Sequence, residues 1–185
     1  MTQRLDYQQQ APDLFKKLVE FNMMVKKGSI EESIHDLIAI RASQINGCAF
    51  CLDMHIKEAT IHGERPLRLH HLAAWRESTL FIPRERAALA WTEVLTQLPP
   101  QGVPDDIYDR VRTQLSEKEI TDLTYTIMGI NGGNRINDAF RSVPGVMMNP
   151  LHHEFGWSHG VVGLAMSVNM TLFGLMGPFA AVLME

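Results

Sequence analysis

The sequence predicts an all-α protein built around one domain, and three observations support this. Apolar residues recur every three or four positions along most of the chain, helix start and stop signals bracket these stretches, and alternating runs rich in β-branched residues are missing from it. At 185 residues, the chain is long enough for one domain with a sizeable core and short for two.

The first helix is predicted over residues 12–27. Pro12 suits a first helical position, and Gly28 suits a C-terminal stop. Four apolar residues in this stretch share the spacing of one helix face: Leu14, Leu18, Phe21 and Val25.

A second helix should begin near Ser29 and Glu32, which match the S-x-x-E capping box that satisfies free backbone N–H groups at a helix start. The Asn46-Gly47 pair interrupts the apolar pattern and ends this helix. A third helix then opens at Cys48 and runs to Gly63. The pattern therefore predicts that the cysteines lie at the start of a helix.

Prolines mark the next helices. Pro66 begins a short helix toward Trp75, and Pro83 begins a longer one that the Pro99-Pro100 pair terminates. Residues 104–115 carry apolar positions at helical spacing and form a further predicted helix.

Ser116 and Glu119 supply a second capping box, which predicts the start of another helix. Its apolar residues continue at helical spacing as far as Ile127. The pattern does not define where this helix ends, because residues 131–140, "NGGNRINDAF", contain adjacent glycines.

The C-terminal tail differs in composition. Residues 155–184 contain no Asp, Glu, Lys or Arg, and a hydrocarbon core needs about 20 mostly apolar residues to span. The tail is either membrane-spanning or an extra apolar helix packed on the domain or in an oligomer interface, and the sequence favours neither. We therefore divide the chain into a domain, residues 1–148, and a tail, residues 149–185.

The overall charge argues against a nucleic-acid partner. Lys and Arg number 17 against 21 Asp and Glu, so no clustered positive charge is available to displace counterions.

The N-terminus lacks the apolar stretch of a signal peptide, which favours the cytoplasm. In that reducing compartment, a close cysteine pair is more often catalytic or metal-binding than a structural disulfide.

Cys48 and Cys51 are the two cysteines of the chain, and His55 follows four residues after Cys51. Positions three apart on a helix lie about 5 Å from each other, within the range of Cα separations that a disulfide accepts. All three side chains share one helix face. An imidazole there can take a proton from a thiol, and the helix N-terminus favours a thiolate, most strongly at Cys48.

Two other interpretations of these residues stay open. The cysteines could be small core residues with His55 as a polar neighbour. Alternatively, Cys48, Cys51 and His55 could be three ligands of a structural zinc ion, which needs four. The fourth ligand would come from a set of other histidines: His35, His62, His70 or His71.

The surrounding sequence resembles a known family. "DLIAIRASQINGCAFCLDMHIKEA", followed by "LAAWRES", "ERAALAWTE" and "NRINDAFRSVPG", is similar to the alkylhydroperoxidase D-like core of the carboxymuconolactone decarboxylase family, over residues of about 12–146. The resemblance implies an all-helical, oligomeric protein that needs no bound cofactor. It also implies reduction of organic hydroperoxides through a reversible disulfide, with an external dithiol as reductant.

The resemblance assigns a role to each residue of the motif. Cys51 matches the peroxide-attacking thiol and Cys48 the resolving thiol, while His55 and Asp36 match a proton relay. The family usually carries Glu where this chain has Asp36, so the side chain here is one methylene shorter. A water molecule could bridge that gap.

Two further resemblances concern an alternative function and the C-terminal tail. Members of the wider family that act as decarboxylases share the fold but generally lack the cysteine pair, and they provide the alternative function. The tail resembles one transmembrane segment of a major-facilitator transporter. We interpret it as a fused segment, the product of a shifted reading frame, or a tether that contacts the membrane through residues 155–184, and we assign it no activity of its own.

Overall fold

The computed structural model describes residues 2–142 and the side chains of residues 4–140. The chain divides into two units, of which one is residues 5–140 and the other includes the described residues 2–4 and 141–142. The predicted tail, residues 149–185, lies outside the described residues, as do its expected apolar helix and transporter-like segment.

Residues 5–140 form helices connected by short loops. The helices, in chain order, are α1 (Tyr7–Gln10), α2 (Pro12–Val25), α3 (Glu32–Asn46), α4 (Ala49–Ile61), α5 (Pro66–His71), α6 (Pro83–Gln97), α7 (Asp105–Arg112) and α8 (Glu117–Phe140). A short 3-10 helix, Leu72–Ala74, follows α5. The expected all-α fold class is thus confirmed.

Helix α3 occupies the centre of the domain, because it contributes to two hydrophobic clusters. Ile34 and Ile38 pack with apolar residues of α6, α7 and α8. Leu37 and Ile40 pack with Ala59 of α4 and with residues of α6 and of the segment after α4. Burial on both sides holds α3 rigidly, and it gives α4 a fixed surface to pack against.

The second unit contains, in its described part, two strands of two residues each. Strand β1 (Thr2–Gln3) pairs antiparallel with β2 (Arg141–Ser142), with Thr2 opposite Ser142. In the described part of the chain, no helix is long and apolar enough to cross a membrane.

The predicted helices are confirmed in position, but α1 was not predicted and one helix cap was predicted wrongly. Ser29 does not form the expected capping box with Glu32. Its backbone N–H and its hydroxyl both donate to Oδ2 of Asp122 in α8, at 2.8 and 2.7 Å. The α3 N-cap is Glu31, which makes no side-chain capping bond. A carboxylate brought in by tertiary packing thus replaces the local partner.

The second capping box is confirmed, and it begins the longest helix. The Ser116 N–H and hydroxyl both lie 2.7 Å from Glu119 Oε2, and the Glu119 N–H lies 3.3 Å from Ser116 Oγ. Helix α8 then continues through its glycines to Phe140. Its Gly129 faces α2 so closely that a Cβ there would lie 2.5 Å from Asn22 Oδ1.

Candidate active site

The loop between α3 and α4 positions the two cysteines. Gly47 ends α3 in the left-handed conformation, with a φ of 70°, which glycine adopts without strain. Cys48 follows as the N-cap of α4 in an extended conformation, and Cys51 lies in the first turn of the helix. The predicted location at a helix start is confirmed.

Both cysteines are free thiols, and their sulfur atoms lie 2.7 Å apart. Cys48 exposes 1% of its surface and Cys51 2%. Only small side-chain rotations separate this arrangement from a disulfide. The geometry therefore allows the pair to be oxidised without rearrangement of the helices.

The two thiols differ in their surroundings. Burial raises the pKa of Cys48, and the neighbouring Cys51 thiol raises it further. Cys48 therefore remains a protonated thiol, although its place at the helix start alone would favour a thiolate. Cys51, unlike Cys48, lines a cavity between α2, α4 and α8.

This cavity has a volume of about 240 Å³ and is mostly apolar. Cys51, His55 and Glu58 line it from α4, Lys26 follows the end of α2, and His35 comes from α3. The apolar part of the lining consists of Phe15, Leu18, Val19, Val25, Met54, Ile130 and Ile136. Such a mixture suits a ligand with an apolar body and one polar group.

His55 is held by a carboxylate of its own helix. Its Nδ1 lies 3.0 Å from Glu58 Oε2, and Lys26 Nζ lies 3.7 Å from the other oxygen of Glu58. Burial raises the pKa of Glu58, but the bond to His55 and the charge of Lys26 outweigh it, so the pKa lies below its ordinary value. Glu58 is thus ionised. His55 lines the same cavity as Cys51, and no hydrogen bond among residues 4–140 joins its imidazole to either sulfur.

Asp36 does not contact His55 as the resemblance implied. Its buried carboxylate lies 2.7 Å from His62 Nδ1, and no hydrogen bond among residues 4–140 joins Asp36 to His55. Burial raises the pKa of Asp36, and the bond to His62 offsets this in part. The same contact raises the pKa of His62.

Helix geometry explains this pairing. Only Gly47 and Cys48 separate α3 from α4, and Ala59 near the end of α4 lies in the same hydrophobic cluster as Leu37 in the first half of α3, so α4 runs back along α3. Asp36 lies ten residues before Asn46, about 15 Å along α3 at 1.5 Å per residue. His55 lies only six residues into α4, about 9 Å along it. The level of Asp36 is therefore reached near the end of α4, where His62 follows.

His35 adds a second imidazole to the cavity, which the sequence indicated only as a possible zinc ligand. Burial lowers the pKa of His35 to about 4, and the charges of Lys26 and His55 contribute to this. Its imidazole is therefore neutral at physiological pH.

The described residues do not form the zinc site considered from the sequence. Among residues 4–140, no three side chains of His, Cys, Asp or Glu come together as metal ligands.

The sequence analysis did not identify Glu58 as a partner of His55, although its spacing of three from His55 on a helix was the available signal.

Comparisons with known proteins agree with this architecture. The family model described as "Carboxymuconolactone decarboxylase family" matches residues 12–94. The uncharacterized protein YdfG of Bacillus subtilis (strain 168) is 42% identical over 139 residues, which cover 75% of this chain and 95% of YdfG.

Two solved structures extend the comparison. A protein of unknown function from Agrobacterium tumefaciens, a candidate antioxidant defence protein AhpD, is 37% identical and superposes with a TM-score of 0.73. That match covers 77% of this chain and 97% of the other. The alkylhydroperoxidase AhpD core of an uncharacterized peroxidase-related protein from Ralstonia eutropha shares 19% identity over 72% of this chain and 71% of its own, with a TM-score of 0.63, and supports the fold alone. From the identity to YdfG, the family match and the shared helical fold, we conclude that the chain belongs to the carboxymuconolactone decarboxylase family.

Proposed function

We propose that this protein is a thiol-dependent peroxidase that reduces organic hydroperoxides through a Cys48–Cys51 disulfide cycle. One observation carries the proposal: two free thiols lie 2.7 Å apart, and one of them lines a mostly apolar cavity. The likeness to a candidate antioxidant defence protein supports the same reaction class.

In the first step, His55 takes the proton of Cys51, and the thiolate attacks the terminal oxygen of the hydroperoxide. The O–O bond breaks, and the departing alkoxide receives a proton from His55, so the products are a Cys51 sulfenic acid and an alcohol. Glu58 stabilises the imidazolium formed between these transfers, because its carboxylate is ionised and 3.0 Å from His55.

In the second step, Cys48 attacks the sulfenic sulfur of Cys51. The S–O bond breaks, the Cys48 proton leaves with the hydroxyl as water, and the disulfide forms. The raised pKa of Cys48 supports this order, since a protonated buried thiol is a poor first nucleophile. An external dithiol then reduces the disulfide and is itself oxidised.

We assign Asp36 a positioning role, because it acts through His62 and has no hydrogen bond to either sulfur. Its bond to His62 fastens the end of α4 to α3. The opposite end of α4 carries the cysteines, so this contact positions the reactive helix.

The lining of the cavity supports organic hydroperoxides as substrates. An alkyl or aryl group of the substrate can be buried against these apolar side chains. Hydrogen peroxide has no such group.

Exposed apolar residues on α2 and α4 support a homo-oligomer. Leu14, Met24 and Ile61 leave 74%, 71% and 82% of their surfaces exposed. Apolar side chains of this size on the surface are available for contacts with a second copy of the chain. Light scattering on the purified chain measures the number of subunits directly.

The experiment that tests this function is a titration of free thiols before and after one equivalent of cumene hydroperoxide. We expect both thiols to disappear together, with one equivalent of alcohol released. Thiols that stay free would contradict the proposal. A turnover that survives Cys51→Ser would instead favour a decarboxylase-type activity without cysteine chemistry.

A further inference from the structure

Asn137 of α8 lies against the sulfur of Cys51. Its Nδ2 is 3.5 Å from Cys51 Sγ and 2.9 Å from the carbonyl oxygen of Gly133. A carbonyl oxygen only accepts hydrogen bonds, so the contact with Gly133 fixes which end of the amide carries the N–H groups. One N–H therefore donates to Gly133, and the other faces Cys51.

The amide oxygen of Asn137 has no partner. Among the described residues, Asn137 Oδ1 is the one buried side-chain oxygen or nitrogen without a hydrogen bond. Buried polar atoms are nearly always paired, so an unpaired acceptor beside a reactive sulfur is a candidate partner for a donor on the substrate. Asn137 lines the same cavity as Cys51, so a donor on a ligand in that cavity can reach both residues.

We propose that Asn137 prepares the first step at Cys51 with both ends of its amide, its N–H stabilising the thiolate and its oxygen accepting the O–H of the incoming hydroperoxide. This inference rests on the proposed peroxidase function and adds a residue that the motif around the cysteines does not contain. Neither the sequence pattern nor the family comparison assigns a role to Asn137.

The chemistry of the hydroperoxide fits this arrangement. The oxygen that the thiolate attacks is the terminal one, and it is also the oxygen that carries the hydrogen. If that hydrogen is donated to Asn137 Oδ1, the same oxygen lies next to Cys51 Sγ, because both atoms contact one amide group. The O–O bond is then oriented before sulfur attacks, which is the contribution that positioning makes to a rate.

Asn137 Oδ1 and the Cys51 side chain are both buried, which bears on how a hydroperoxide reaches them. Cys51 exposes only 2% of its surface, so a hydroperoxide reaches its sulfur only by displacing part of the cavity wall. Asn137 belongs to that wall and contacts the sulfur, so its amide lies where a ligand approaches Cys51.

The test uses the full chain carrying Cys48→Ser, in which Cys51 is the remaining thiol. Two rates are measured at pH 7: alkylation of Cys51 by iodoacetamide, and its oxidation by cumene hydroperoxide. Asn137→Ala should slow alkylation about tenfold, because a hydrogen bond to a charged group is lost. Oxidation should slow by at least about ten times more than alkylation, because iodoacetamide offers no O–H to orient.

Asn137→Asp is the second variant, since it keeps the size of the side chain if alanine disturbs folding. It removes the N–H that faces sulfur and adds a negative charge, so alkylation should again be slower. Asn22→Ala is the matched control for alkylation. Asn22 lines the same cavity and carries the same amide, and no hydrogen bond among residues 4–140 joins it to either sulfur.

The alkylation rates decide the thiolate role. That role is overturned if Cys51 is alkylated as fast in the Asn137→Ala variant as in the parent chain. It is also overturned if Asn22→Ala slows alkylation of Cys51 as much as Asn137→Ala does. Equal losses in alkylation and oxidation overturn the role of the amide oxygen. A parent chain inert toward cumene hydroperoxide would refute the proposed function and the oxygen's role together, while the alkylation rates would still decide the role of the N–H.

Discussion

His55 Nδ1 and Glu58 Oε2 lie 3.0 Å apart, one turn from each other on α4. This contact gives His55 a carboxylate partner that moves with it, because both residues belong to one rigid helix. Asp36, the carboxylate that the family resemblance indicated, is bound to His62.

The two carboxylates should therefore respond differently to removal of their charge. We expect Glu58→Gln to reduce peroxidase turnover about tenfold or more, since a general base loses the group that stabilises its protonated form. Asp36→Asn should reduce turnover less and should lower the melting temperature, because it acts on the attachment of α4. Steady-state kinetics with cumene hydroperoxide and thermal melts of both variants make this comparison. A larger kinetic loss in Asp36→Asn would restore the relay implied by the resemblance.

The pKa of His35 predicts a pH dependence of stability. Burial lowers the pKa of His35 to about 4 from an ordinary value of 6.5. The unfolded chain therefore binds more protons at this position between those values. Stability is fully present above pH 6.5 and is lost as the pH falls toward 4, by up to the order of 3 kcal/mol.

Urea unfolding of the parent and of His35→Gln at pH 7, 5.5 and 4.5 measures this contribution. The parent should lose more stability than the variant over this range. Glu119 and Asp122, whose pKa values are lowered to about 2, act mainly at lower pH and in both proteins equally. Parallel pH profiles for the two proteins would show that His35 is not held in its neutral form.

Two glycines of α8 should respond oppositely to the same substitution. A Cβ at Gly129 would lie 2.5 Å from Asn22 Oδ1 and 3.1 Å from Phe21 Cε1, whereas a Cβ at Gly132 meets nothing within 4 Å. Gly129→Ala should destabilise the protein by about 1 kcal/mol, because the Asn22 amide must rotate away and the Phe21 ring must give way by a few tenths of an ångström. Gly132→Ala should stabilise it by about 0.5–1 kcal/mol through higher helix propensity. Chemical denaturation of both variants measures the two effects, and a shared sign would contradict the packing described for Gly129.

The helices could be predicted from the sequence because their signals are local. Apolar spacing, prolines at helix starts and the Ser116–Glu119 box all involve residues within one or two turns of each other. The cysteine pair could be predicted for the same reason, since a spacing of three at a helix start brings two side chains within one turn of each other.

Contacts between distant parts of the chain could not be predicted in this way. The partner of Ser29 is Asp122, 93 residues away, and a local capping box was therefore the wrong interpretation. The partner of Asp36 depends on how α4 packs along α3, and Asn137 reaches Cys51 across 86 residues. Such contacts follow from helix packing, which the spacing of residues on one helix does not specify.

The central claim is that a hydroperoxide joins Cys48 and Cys51 to each other. Trypsin cleaves after Arg41 and Lys57, so both cysteines lie in one peptide, residues 42–57. The most direct measurement is the mass of this peptide after one equivalent of cumene hydroperoxide and alkylation with iodoacetamide under non-reducing conditions. The account predicts a peptide lighter by two hydrogen atoms than the reduced form and carrying no alkyl group. A peptide alkylated on both cysteines would contradict it.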